Sequence, residues 1–311
     1  MSERLVWLPF ESTRLWPDGS VPSGLQIEVV DPTQHVPDSV SDVRFYVPPY
    51  AAGPSVADVI PQMTSLEVVQ TMTAGVDNVR PLVSQGVTLC NGRGIHDAST
   101  AELALTLILA SLRRIPDFVR LQDRREWGQA FTPALADKRV LIVGYGAIGA
   151  AIEARLRPFE TEVVRVARTA RGSGPDQVHG FGELPRLLPE ADVVVLIVPL
   201  TEETRGLVDA GFLAQMKDGS LLVNMARGAV VVTDDLVAEL QTDRISAAVD
   251  VVDVEPPPAD HPFWDAPNLL MTPHVGGASS AFFPRAYRLV REQLERYAAG
   301  EPLANVMSGE Y

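Results

Sequence analysis

Cysteine is almost absent from this chain. Its 311 residues include one, Cys90, so an internal disulfide is excluded and a reducing compartment is the expected setting. Cys90 reads either as a small buried hydrophobe or as a nucleophile, and burial is the commoner fate. Basic residues are scarce as well: 26 Lys and Arg face 40 Asp and Glu, a net charge of −14. That deficit speaks against nucleic acid and against anionic membrane surfaces as partners, although a local basic pocket for a phosphorylated ligand stays open. Membrane-length apolar runs are missing too. The stretch 103–112 is far too short to span a bilayer and contains Thr106 and Ser111. The apolar start after Arg4 is too short for a signal-peptide core. The expectation is a soluble cytoplasmic protein with a small-molecule partner, without repeats, low-complexity tracts or heptads.

What is present is apolar material in short, regular pieces. With 46% hydrophobic residues and this length, about two domains with sizeable cores are expected. Strand-like runs occur at 5–8, 27–30, 43–47, 66–71 and 87–90, with helical stretches near 55–62 and 78–85. Such alternation predicts a parallel sheet with helices on its faces. Pro48-Pro49 and Gly53-Pro54 mark a loop after the third strand. A long helix is expected from about Ser99 to Glu126, capped by Ser99 or Thr100. Arg113, Arg114, Arg120, Arg124 and Arg125 crowd its second half, either as a solvated face or as a subunit contact. A second α/β series follows, with strands at 139–143, 162–166, 192–198, 220–224, 245–250 and 269–272, helices such as 147–157 and 234–240, and a last helix over 282–299. The two ends of the chain are expected to form one domain, interrupted by the second, with a ligand cleft between them.

The segment from Lys138 to Gly149 is the most specific. An apolar run meets glycines spaced G-x-G-x-x-G at Gly144, Gly146 and Gly149. The first permits a tight strand-to-helix turn, the second lets a pyrophosphate approach the backbone, and the third allows close helix–strand packing. Free N–H groups at the helix start then face the anion. Together with the strand series, this predicts dinucleotide binding. An acid at the end of the next strand would bind the adenosine ribose hydroxyls. The chain instead has Arg168, followed by Thr169 and Arg171. Arg168 with Thr169 or Arg171 reads as a 2′-phosphate site favouring NADP, or as solvated arginine beside an unselective NAD or NADP pocket.

Three further segments end strands with a polar group: Asn224 to Gly228, Asp250 to Pro256, and Thr272 to Gly277. Individually Arg227 reads as a surface charge, Glu255 as a loop carboxylate and His274 as a packed loop histidine. Together, behind a dinucleotide turn, they are the Arg, Glu and His needed to reduce a 2-oxo acid. His35 and His179 fall in polar connections and His261 precedes Pro262, which leaves His96 as the rival, near the presumed hinge.

These residues resemble the D-isomer-specific 2-hydroxyacid dehydrogenase family. The resemblance runs from Thr73-Ala74-Gly75-Val76-Asp77-Asn78, through Ala101-Glu102, the glycine turn, Val198-Pro199-Leu200-Thr201 with Thr204, Asn224 to Gly228, Asp250 with Glu255-Pro256, and Pro273 to Gly277, to Gly300 to Asn305. The first 65 residues match weakly. The resemblance implies an α/β fold of two doubly wound parallel-sheet domains. A flavodoxin-like substrate domain would span 1–98 plus 281–311 and a Rossmann cofactor domain 99–280, with the active site in the cleft between them. It implies Arg227, Glu255 and His274 as catalytic. His274 would exchange a proton with the substrate oxygen, Glu255 would fix its ring, and Arg227 would clamp the carboxylate and polarise the 2-oxo group. Ala74, Gly75 and Val76, with Arg227 and His274, would bind substrate. Gly144, Gly146, Ala147, Ile148, Gly149, Arg168, Pro199, Thr204, Met225, Ala226, Asp250, Gly276 and Gly277 would hold NADP or NAD. No metal is implied, and a homodimer is.

Three departures from the family pattern stand out. Arg168 replaces the acid common in NAD-using members, and Arg93 and His96 stand where proline and asparagine are frequent. No regulatory domain is expected after Tyr311, which would set the chain apart from long phosphoglycerate dehydrogenases. Tyr46, Pro48, Pro49 and Tyr50 are expected in a loop near the substrate side chain. The expected activity is reduction of a small 2-oxo acid, such as glyoxylate, hydroxypyruvate or a phenylpyruvate-like compound, to a D-2-hydroxy acid. The alternative is a cofactor-sensing interaction protein like the C-terminal binding proteins, against which the acidic balance and lack of an appended tail count. A formate-oxidising member would carry Gln in place of Glu255.

Overall fold

The computed structural model describes residues 3–50 and 58–308. The chain divides into two compact units, one comprising Met1–His96 with Ser280–Tyr311 and the other Asp97–Ser279.

In the first unit, strands β1 (Arg4–Leu8), β2 (Leu25–Val29), β3 (Val43–Tyr46), β4 (Val68–Gln70) and β5 (Thr88–Cys90) form a parallel sheet in the order β2-β1-β3-β4-β5. Its two faces follow the strand period of two. Val6, Leu8, Phe45 and Val68 point one way, towards a helix laid down by the far end of the chain; Leu5, Trp7, Tyr46 and Val69 point the other way. Two stretches read as helices fall short. Within 78–85 only a single 3-10 turn, Arg80–Leu82, forms, because Pro81 supplies no N–H and Gly86 stops propagation at φ 96°. Of 55–62, residues 55–57 lie outside the described residues and Ile60–Gln62, with Pro61, is again one 3-10 turn. Tyr46 is not in a loop: it ends β3 and is fully buried.

The second unit holds the larger sheet. It comprises β6 (Arg139–Val143), β7 (Glu162–Ala167), β8 (Val178–Gly180), β9 (Val193–Leu196), β10 (Leu221–Asn224), β11 (Ser246–Val249) and β12 (Leu269–Met271), all parallel, in the order β12-β11-β10-β9-β6-β7-β8. The sheet reverses direction of winding at β6 and β9, the switch point at which ligands bind doubly wound sheets. Seven strands replace the expected six. The extra one, β8, is three residues long at the sheet edge and places His179 in a strand rather than a connection. Strands covered on both faces read as continuous apolar runs. Val140, Ile142, Val193, Val195, Leu221 and Val223 face one core, while Leu141, Val143, Val194, Leu196 and Leu222 face the other.

Helices α1 (Asp97–Leu112), α2 (Ile115–Asp123), α3 (Ala147–Leu156), α4 (Leu184–Leu187), α5 (Ala210–Gln215), α6 (Thr233–Leu240) and α7 (Phe282–Ala299) complete the fold. The long helix expected over 99–126 is broken. Pro116 sits in the first turn of α2 and Arg114 adopts a left-handed φ of 52°, so α1 ends at Leu112. Ala101, Ala104, Leu105 and Ile108 of α1 pack with Ile152 and Leu156 of α3 against one face of the large sheet. α7 spans the expected residues and buries Phe282, Ala286, Val290, Leu294 and Tyr297 on the small sheet. Cys90 is fully buried there, and burial pushes its thiol up to about 11, which removes it as a nucleophile.

Candidate active site

The glycine turn is built as its spacing demands. Gly144 has φ 111°, and a Cβ on it would lie 2.4 Å from the Ile197 carbonyl oxygen. A Cβ on Gly149 would lie 2.4 Å from the Gly144 carbonyl, so α3 packs directly on the turn. Gly146 faces open space with nothing within 4 Å, and no side chain caps α3. Helix N–H groups beside an unobstructed glycine are what a pyrophosphate needs, so the residues present fit a dinucleotide. Ala147 is exposed and Ile148 half-buried at the same helix start. Arg168 is exposed just past the end of β7, and β7 lies beside β6 with Val143 opposite Val166.

Beyond β9, exposed Pro199 opens a loop that Thr204 braces. Its hydroxyl donates to the Pro199 carbonyl at 2.6 Å and accepts from Thr201 N–H at 2.9 Å. Thr204 is buried, so it shapes this loop. After β10, Asn224 organises the next turn. Its side chain accepts from Ala226 N–H at 3.0 Å and donates to the Arg227 carbonyl at 3.1 Å. Met225 and Ala226 are buried, whereas half-buried Arg227 donates from Nη1 to the Ala226 carbonyl at 2.8 Å. Gly228 admits no side chain: a Cβ there would lie 1.9 Å from the Val252 carbonyl carbon, so the loops after β10 and β11 touch through backbone.

The loop after β12 carries His274 in a left-handed conformation, φ 52°. Buried Asp250 imposes it. One carboxylate oxygen accepts from Thr272 Oγ1 at 2.6 Å and Val275 N–H at 2.9 Å, the other from Gly276 N–H at 2.7 Å. The Asp250 carbonyl also accepts from His274 N–H at 2.8 Å. Gly276 is required by this packing, since a Cβ would meet Asp250 Oδ2 at 2.8 Å, and half-buried Gly277 follows. The sequence reading did not give Asp250 this bracing part; its only signal was an acid at one strand end with a Thr–His–Gly loop at the next.

Within this frame Arg227, Glu255 and His274 come together. Nδ1 of His274 and Oε2 of Glu255 are 2.5 Å apart, and Oε1 of Glu255 accepts from Val252 N–H at 3.1 Å. Glu255's hydrogen bond and charge lift the imidazole above its ordinary pKa, against partial burial and the repulsion of nearby Arg227. Burial pushes Glu255 up, but His274, the Val252 N–H and the Arg227 charge outweigh it and hold the carboxyl below its usual range. Arg227 thus acts on both members of the pair. Nε2 of His274 is left as the nitrogen that can serve a substrate.

Ala74, Gly75 and Val76 follow β4 in the first unit. Asn91 Nδ2 donates to the Ala74 carbonyl at 2.9 Å, Thr73 Oγ1 donates to the Gly75 carbonyl at 2.8 Å, and buried Val76 accepts from Val79 and Arg80 N–H groups. His96 is buried in the same unit, with Nε2 3.0 Å from the Met72 carbonyl and its ring stacked on Phe282.

A family model for the NAD-binding domain of D-isomer-specific 2-hydroxyacid dehydrogenases matches residues 105–276. The chain belongs to this family. It is an NAD(P)-dependent oxidoreductase of the D-2-hydroxyacid dehydrogenase kind. A human glyoxylate reductase/hydroxypyruvate reductase is 31% identical over 252 residues, covering 77% of this chain and 76% of that protein. A family member from Aeromonas salmonicida has a TM-score of 0.86 at 27% identity, covering 99% of both chains. The NADPH-dependent glyoxylate/hydroxypyruvate reductase of Sinorhizobium meliloti, solved with NADP and sulfate, has a TM-score of 0.82 at 26% identity, covering 99% of this chain and 98% of that one.

Proposed function

We propose that this dehydrogenase reduces glyoxylate, hydroxypyruvate or a similarly small 2-oxo acid to the D-2-hydroxy acid, with NADPH preferred. The observation that carries the reading is the His274–Glu255 hydrogen bond with Arg227 acting on both. The bound reduced nicotinamide supplies the hydride. Arg227 binds the substrate carboxylate and polarises its 2-oxo group. His274 holds a proton at Nε2, gives it to the substrate oxygen as charge develops there, and takes it back in the reverse direction. Glu255 orients the ring and stabilises its charged form. Backbone groups of Ala74, Gly75 and Val76 assist in holding the carboxylate. Gly144, Gly146 and Gly149 with Ala147 and Ile148 receive the pyrophosphate, Pro199, Thr204, Met225, Ala226, Asp250, Gly276 and Gly277 shape the nicotinamide side, and Arg168 reads the 2′-phosphate. Residues 1–98 with 281–311 serve substrate, and 99–280 serve cofactor.

The working form in this reading is a cytoplasmic homodimer. Trp127 and Phe131 are almost wholly exposed, and Ile115 and Val119 of α2 are about half exposed. Gly128 lies against Leu121, so the Trp127 segment runs back over α2. Exposed apolar side chains of this kind, beside the arginines of 113–125, suit a second copy of the chain.

The test is NADPH and NADH oxidation against a panel of 2-oxo acids, with formate and NADP in the reverse direction. Turnover of glyoxylate or hydroxypyruvate with NADPH is expected. Cofactor binding without turnover of any acid would favour the sensing protein instead.

A further inference from the structure

Around the glycine turn lies a polar cluster that the chemistry described above does not use. Glu153 of α3 and Arg165 of β7 are both buried. Arg165 donates to Glu153 from Nε at 2.6 Å and closes a second bond between Nη2 and Oε1. Arg157 adds a bond to Oε1 at 3.1 Å, and the Tyr145 hydroxyl donates to Oε2. Tyr145 stands between the first two glycines of the turn, so this network fixes a ring at the lip of the pyrophosphate site. Over that ring reach two guanidinium groups, the buried Arg165 at 5.6 Å and the exposed Arg171. The Arg171 Cζ is 6.0 Å from the ring centroid, and its Nη2 donates to the Tyr145 carbonyl at 2.6 Å. Its backbone is held independently: Arg171 and Val178 exchange two N–H···O bonds of 2.9 Å, which close the loop between β7 and β8.

We propose that Tyr145 is a positioning residue for cofactor choice: latched to the Glu153–Arg165 pair, it holds the Arg171 guanidinium beside the glycine turn so that Arg171, with Arg168, grips a phosphate on the adenosine ribose. The proposal rests on the NADPH reading and deepens it. An arginine on an exposed loop spends most of its time in other rotamers. Held over an aromatic face at cation–π range and tied by one N–H to a carbonyl, it is ordered in advance and keeps its remaining donors for an anion. The ring itself is kept in place by the carboxylate beneath it. Burial opposes that charge, but the Arg165 hydrogen bonds dominate and hold the Glu153 carboxyl at about 2, so the latch is ionised throughout the working range.

Isothermal titration of the cofactor-free full chain with NADP+, NAD+, 2′,5′-ADP and 5′-ADP tests this without any turnover. In Y145A, affinity for NADP+ and 2′,5′-ADP is expected to fall about tenfold, while that for NAD+ and 5′-ADP changes less than twofold. Y145F keeps the ring and loses only the latch, so its loss should be intermediate; it also serves if Y145A folds poorly. The loss in R171Q should not add to that in Y145A, because both remove the same contact. Equal weakening of all four ligands, or additive losses in the double variant, would overturn the platform. If R168Q alone abolishes the preference and R171Q leaves it intact, the platform falls while the NADPH reading survives. If the unmodified chain binds NADP+ and NAD+ alike, the NADPH reading itself has failed, and the platform with it.

Discussion

The short contact between His274 and Glu255 fixes the sign of a pH dependence. Reduction requires the protonated imidazole, whose pKa is raised by Glu255. The competent form therefore dominates below that raised value and is lost as pH rises through it, while oxidation of the hydroxy acid gains over the same range. Glu255, held low, loses its charge only as pH falls through its depressed value. In E255Q the imidazole loses its main supporting partner, so the alkaline limb of kcat/KM for reduction should move to lower pH; an unmoved limb in a full profile would mean another group sets it. H274A should lose about 10²–10⁴ in kcat for reduction with cofactor affinity unchanged, read by rapid kinetics and titration. R227A should raise KM and lower kcat together, because the same guanidinium binds the carboxylate and polarises the reacting carbonyl. These three residue types were legible in the sequence because each follows a strand run. Their convergence was expected from the family resemblance alone, since spacing cannot show it: Arg227 and Glu255 are 28 positions apart, and Glu255 and His274 are 19 apart.

At the scale of elements, the glycine turn separates stability from binding. G149A drives a methyl group into the Gly144 carbonyl, and overpacking of that kind costs about 1–3 kcal/mol. G146A meets no protein atom, so its melting temperature should stay near that of the parent while dinucleotide affinity falls at least tenfold. Thermal unfolding and titration on both variants check the contrast; a G146A that binds normally would show that no phosphate approaches there. The helix that ended early has an equally local cause. The expectation of one helix over 99–126 took no account of Pro116, which the backbone places in the first turn of a new helix behind a left-handed Arg114. The missed strand β8 is three residues long and gives no periodic signal; it exists because the end of β7 offers it a partner.

For the whole molecule, the apolar surface at Trp127 and Phe131 carries the prediction. W127E with F131E should convert a dimer to a monomer in sedimentation or light scattering, with little change in the secondary structure of the protomer. A parent chain that sediments as a monomer would end the proposal. The chain crosses between the two units at His96/Asp97 and again at Ser279/Ser280. Ser99 and Ser279 hydrogen bond at 2.6 Å, so both connections leave the second unit at one place.

What the sequence determined by itself was local: strands as apolar runs, a turn only glycines can make, and polar residues at strand ends. Period and sterics act over a few residues, so they are written in consecutive letters. The tertiary structure alone decided which side chains meet. Asp250 holds the His274 loop, and Tyr145 carries Arg171 on a buried Glu153–Arg165 pair. Such contacts join separate strands and helices, and they form only when burial of the sheet faces brings those elements side by side.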